Sequence, residues 1–118
     1  MARTARLLVA VLALAGLAGC AAAGSGSGSP VATAAVDLPP SYRFEPAAIM
    51  VPAGTTVTWS NHDNFSHSVR FLDDRLPGEP MLMQPGASAT FTFGDAGTYA
   101  YECHLHPRDM TGSVTVTP

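Results

Sequence analysis

The chain contains no lysine. Its six basic residues are all arginine, set against nine acidic ones, for a formal net charge of −3. Charged residues are only 13% of the 118, which excludes a basic face for nucleic acid. Two cysteines allow at most one disulfide. No segment carries a convincing 3.6-residue apolar stripe, which argues against a helical bundle. There are no internal repeats, and the length holds one small domain. What is plentiful is glycine (11), proline (10) and hydrophobic residues at 47%, the composition of a turn-rich β protein.

The N-terminus reads as an address. Arg3 and Arg6 precede Leu7 to Leu17, an uncharged run of Leu, Val, Ala and one Gly. That is a charged n-region and an apolar h-region too short for a comfortable membrane span. It ends in Leu17-Ala18-Gly19-Cys20, which resembles a bacterial lipobox. The expectation is a signal peptide over residues 1–19 and lipid attachment at Cys20, so that acyl chains hold the chain at a membrane, facing the periplasm or the exterior. Loss of Arg3 and Arg6 would leave four basic residues against nine acidic, a net charge of −5. Residues 20–35, rich in Ala, Gly and Ser, read as a flexible tether. Residues 36–118 read as the folded domain.

Within that domain, period-2 patches alternate with turn residues. The spacing predicts strands at Tyr42–Phe44, Ile49–Val51, Thr55–Ser60, Ser66–Leu72, Ser88–Phe93, Gly97–Cys103 and Gly112–Thr117. Pro39-Pro40, Pro52 to Gly54, Asn61 to Asn64, Pro77-Gly78, Pro85-Gly86 and Asp95 to Gly97 separate them. Val57 and Trp59 share a face, as do Phe91 and Phe93, and Val114 and Val116. Trp59 is assigned to the core. Asp95-Ala-Gly97-Thr-Tyr99 suggests a tyrosine corner. The fold class is all-β, a Greek-key β-sandwich of about 80 residues, near the lower limit for an adequate core, where a bound metal would add stability.

The chemistry lies near the C-terminus, in Cys103-His-Leu-His106-Pro-Arg-Asp-Met110. A soft thiolate, an imidazole three residues on and a thioether four after that suit copper, as two His and a Cys with a weak axial Met. The second imidazole must come from elsewhere, and His67 is the candidate. An exported protein with an unpaired cysteine favours metal binding at Cys103 over an inert thiol.

Phe44-Glu-Pro46-Ala-Ala-Ile49-Met-Val51-Pro-Ala-Gly54-Thr-Thr-Val57-Thr-Trp59-Ser-Asn61-His-Asp63, with His67 four residues on, resembles the first half of plastocyanin/amicyanin-type cupredoxins. Pro85-Gly86, Phe93, Gly97-Thr-Tyr99, Cys103-x-x-His106-Pro107, Met110, Gly112 and Val114-Thr-Val116 resemble the second half. The resemblance implies one type 1 copper ion cycling between Cu(II) and Cu(I), with His67, Cys103 and His106 as strong ligands and Met110 axial. The family often places its Met three or five residues after the second His, where this chain has four; a weak axial bond tolerates this. The resemblance also implies that the backbone N–H of Ser68 bonds the Cys103 sulfur. It places Asn61 and Pro107 around the ligands. It implies an electron port at the His106 ring edge, within an apolar patch of Leu105, Pro107 and Pro85. Many relatives carry Asn where this chain has Ser68, and a small residue where it has His104, which leaves a side-chain link between the two open. His104 is expected to turn away from the metal, and His62 to be solvated.

The function implied is a small membrane-anchored electron carrier, monomeric, working between redox partner proteins. The alternative is an extracytoplasmic copper-binding or delivery protein, favoured only by Met81, Met83, His62 and His104. Met81-Leu82-Met83 is expected to be a loop packing apolar side chains near the copper end. An enzyme of the multicopper type would need further copper centres, and four histidines in all do not supply them.

Overall fold

The computed structural model describes residues 28–118. The signal segment, Cys20 and the first part of the tether lie outside the described residues.

Among the described residues nine strands make up the regular structure: β1 (Val31–Ala32), β2 (Ala35–Leu38), β3 (Ala48–Pro52), β4 (Thr55–Asn61), β5 (His67–Phe71), β6 (Met81–Met83), β7 (Ser88–Phe93), β8 (Gly97–Glu102) and β9 (Thr111–Thr117). One sheet runs β1-β3-β9-β8-β5-β6 and the other β2-β4-β7. Pairings of β1 with β3, β3 with β9 and β2 with β4 are parallel, the rest antiparallel. Parallel neighbours require crossovers, and here the chain passes between the sheets, which gives a Greek-key sandwich as expected.

Alternation writes the core. Val57 and Trp59 of β4, Ile49 and Val51 of β3, Tyr99 and Tyr101 of β8, and Val114 and Val116 of β9 are buried at every second position, as a two-layer sandwich dictates. Trp59 is fully buried, edge-on to Tyr101 at 5.5 Å and to Phe71 at 6.2 Å between ring centroids. The tyrosine corner is present: the Tyr99 hydroxyl donates to the Asp95 carbonyl at 2.7 Å.

Four expectations change. Tyr42–Phe44 is not a strand. Ser41 and Tyr42 take positive φ, 110° and 54°, which no strand accommodates. Two strands not foreseen lie just before it: β1 falls within the residues read as tether, and β2 begins at Ala35, pairing with β3 and β4 respectively. Small alanines carry little strand propensity, so only the partner strands define these edges. Met81–Met83, expected as a loop, is the edge strand β6, with Met83 buried opposite His67. Finally, β8 stops at Glu102, one residue short of the expected Cys103, which begins the site loop instead.

Candidate metal centre

Strand β5 is the exception to alternation. His67, Ser68 and Val69 are all buried in succession. Both faces of its first two residues are occupied: His67 faces one way and Ser68 the other, and each meets the segment that begins at Cys103.

Cys103 is a free thiol, fully buried. His67 Nδ1 lies 3.9 Å from its Sγ. The backbone N–H of Ser68 donates to the same sulfur at 3.3 Å. The Ser68 hydroxyl lies 3.8 Å from Sγ and 2.6 Å from His104 Nδ1, and it accepts the His104 backbone N–H at 3.0 Å. The side-chain link between positions 68 and 104 is therefore made, and it holds the half-buried His104 ring on Ser68.

The loop from Cys103 to Met110 closes on itself. The Cys103 N–H donates to the Met110 carbonyl at 3.0 Å, and the His106 N–H to the Cys103 carbonyl at 3.1 Å. The N–H groups of Asp109 and Met110 both reach the His106 carbonyl, at 3.2 and 3.0 Å. This folding absorbs the four-residue gap and returns Met110 to a fully buried position. Pro107 is exposed and has no N–H to offer, so it starts the turn without leaving a donor unpaired.

The His106 ring is half-buried and stands 5.5 Å from the His67 ring between centroids. By themselves, the His, Cys, Asp and Glu side chains of the described residues form no closed three-membered metal cluster. The neighbourhood is two imidazoles and a buried sulfur, with the buried Met110 joined to Cys103 and His106 through its backbone. That donor chemistry fits copper, because soft sulfur and imidazole together suit an ion that alternates between Cu(I) and Cu(II).

Asn61 ties the other half of the site together. Its buried amide donates to the Phe65 carbonyl at 2.8 Å and to the Met83 carbonyl at 3.0 Å, and its Oδ1 accepts the Asp63 N–H at 2.9 Å. The turn from 62 to 66 is thereby pinned to β6, and His67 follows directly. His62 is mostly exposed, pairing with Asp37.

Two features were not read from the sequence. Asp63 is buried and lies 2.8 Å from His67 Nε2; an acidic residue four positions before His67 was the available signal. Tyr42 sits edge-on to His106 at 4.6 Å and to His67 at 5.8 Å, and stacks with Phe65 at 5.8 Å. No local pattern could place it there, because two positive-φ residues aim it. Tyr42, Phe65 and Leu105 are 37%, 55% and 46% exposed, so the apolar surface around His106 is larger and more aromatic than expected.

The profile of the family described as copper binding proteins, plastocyanin/azurin family, matches residues 35–117. The chain belongs to that family. A plastocyanin of Scenedesmus fuscus is 39% identical over 83 residues, covering 62% of this chain and 85% of that protein. Amicyanin of Paracoccus denitrificans is 38% identical over 79 residues, covering 63% and 58% respectively. Among solved structures, a purple cupredoxin of Nitrosopumilus maritimus superposes with a TM-score of 0.64 at 27% identity, over 72% of this chain and all of that one. A reduced amicyanin variant superposes with a TM-score of 0.63 at 33% identity, over 78% and 95%. The cupredoxin membership implies one type 1 copper and single-electron chemistry.

Proposed function

We propose that this cupredoxin is an exported, lipid-anchored single-electron carrier. His67, Cys103 and His106 would hold its copper, with Met110 as a weaker fourth donor. The observation that carries the reading is the Cys103 sulfur, buried without a disulfide, with an imidazole nitrogen at 3.9 Å and a backbone N–H at 3.3 Å. A copper ion held there supplies a one-electron couple.

The chain's own part is to keep the ligands still. Cys103 and His106 sit on a loop tied at both ends, and His67 sits at the start of a strand whose preceding turn is clamped by Asn61. A site that moves little has a small reorganisation cost when an electron arrives. The half-buried His106, ringed by Tyr42, Phe65, Leu105 and Pro107, offers the partner an apolar contact. Small interfaces of this kind suit weak, fast redox encounters. Cys20, bearing acyl chains, would keep the domain at the membrane while the tether lets it reach protein donors and acceptors.

The residues that a copper-delivery role would draw on are otherwise engaged. Met83 is in the core and Met81 packs against it. His62 pairs with Asp37 and His104 with Ser68. Addition of Cu(II) is expected to produce an intense thiolate-to-copper band in the visible, with a reversible couple. Cys103→Ser should abolish the colour, and Met110→Leu should keep it and shift the potential. Zinc binding at these residues without a coloured copper form would sink the reading. Ready loss of copper to a chelator during redox cycling would favour delivery. Cys20→Ala should release the protein from the membrane fraction; retention there would refute the anchor.

A further inference from the structure

Among the described residues only one carboxylate is buried, that of Asp63, 6% exposed. Both carboxylate oxygens and the backbone N–H have defined partners. Oδ2 lies 2.8 Å from His67 Nε2, and Oδ1 accepts the Asn64 N–H at 2.7 Å. Its own N–H donates to Asn61 Oδ1 at 2.9 Å. Among the described residues no arginine pairs with it; its ionic partner is His67.

An ionised carboxylate only accepts hydrogen bonds. With Oδ1 taken by the Asn64 N–H and Oδ2 facing the ring, a neutral His67 carries its proton on Nε2, which leaves the Nδ1 lone pair on the side of the Cys103 sulfur, 3.9 Å away. Which imidazole nitrogen binds a metal is decided by the bond the other one makes. The charge count points the same way. A Cys103 thiolate and the Asp63 carboxylate put two negative charges in the buried site. A divalent ion cancels both, whereas a monovalent ion leaves one uncompensated in a poorly solvated place, which is unfavourable.

We propose that Asp63 is a positioning residue of the metal centre, fixing His67 as an Nδ1 donor and lowering the Cu(II)/Cu(I) potential through its buried charge. This rests on the electron-carrier reading.

The test uses Asp63→Asn and Asp63→Ala in the full-length protein. Asparagine keeps an oxygen that can accept the Nε2–H but removes the charge. D63N should retain the visible band and raise the potential. A tenfold fall in preference for Cu(II) over Cu(I) corresponds to about 59 mV for one electron. In the metal-free protein, long-range 1H–15N correlation spectra should show His67 as the Nε2–H tautomer in the wild type and in D63N, and as a mixture in D63A. D63E, which restores the charge, should return the potential toward the wild-type value. An unchanged potential in a D63N protein with an intact band overturns the electrostatic half. An Nδ1–H tautomer in the metal-free wild type overturns the positioning half, and this arm decides even if D63N fails to fold. A wild-type protein that shows no coloured copper form defeats the carrier reading instead, and the tautomer measurement still stands apart from it.

Discussion

Gly112→Ala is expected to damage the domain from a position outside the ligand set. Gly112 is the second residue of β9, two after Met110, and it pairs with Tyr101 across the β8–β9 ladder. A Cβ built there would meet the Tyr101 Oη at 2.5 Å and Cε2 at 2.8 Å, with Cζ closer still. Ordinary contact begins near 3.4 Å, so the ring would have to retreat by close to an ångström. It has nowhere to go. Tyr101 is fully buried, edge-on to Phe44 at 4.8 Å and to Trp59 at 5.5 Å. Overpacking of this kind costs about 2 kcal/mol. In a domain this small, that is a fall in melting temperature of about 8–16 °C. Urea unfolding of the metal-free protein, followed by Trp59 fluorescence, measures it directly.

A second variant separates the contact from any backbone effect. The Tyr101 hydroxyl and the Trp59 indole N–H are both buried without a properly formed hydrogen bond. Burial pushes the hydroxyl up to about 12, with the Trp59 N–H pulling weakly the other way. Tyr101→Phe should therefore be near-neutral, since it removes an unsatisfied group. In the Gly112→Ala background it should recover part of the loss, because it deletes the atom at 2.5 Å. A Gly112→Ala protein within about 0.5 kcal/mol of wild type, the usual span of a surface change, would refute the packing argument.

Asn61→Ala leaves the Phe65 and Met83 carbonyls without their side-chain donor, so a loss of about 1–3 kcal/mol in urea unfolding and faster copper release to a chelator are expected; unchanged release would show that the turn holds itself. Ser68→Ala keeps the backbone N–H to the Cys103 sulfur and loses only the hydroxyl link to His104, so the visible band should survive with a modest change in potential. Loss of the band would mean that the hydroxyl, not the backbone, supports the thiolate. Arg75 beside Asp73 holds its carboxyl down at about 2 from an ordinary 3.8. A depressed carboxyl stabilises the fold above its unfolded value and loses that contribution as pH falls through the folded one. The gap in stability between wild type and Asp73→Asn should hold steady above about pH 4 and close toward pH 2. The pair is exposed, so the gap will be small; a gap that widens in acid contradicts the assignment.

The sequence by itself carried the sandwich and the ligand types. Val57 with Trp59 and Val114 with Val116 declare a buried face through period-2 alternation, which is a property of consecutive residues and needs no partner. Cys103, His106 and Met110 lie within one loop, and the turn before His67 has its own polar signature, so the proposed donors stand out in the sequence as a set. The extra strand edges, the aromatic cap and the buried carboxylate were not. Val31–Ala32 and Ala35–Leu38 are strands because β3 and β4 offer them ladders, and nothing in their own alanines says so. Tyr42 reaches His106 only because Ser41 and Tyr42 turn the chain through positive φ into a neighbourhood built by Phe65, His67 and His106, all from later parts of the chain. Asp63 becomes a partner of His67 instead of one more surface acid because Asn61 pins their shared turn against β6. Residue chemistry and spacing are local and survive in the sequence. Which polar groups end up buried together depends on strands that meet from distant parts of the chain, and only the folded sandwich decides it.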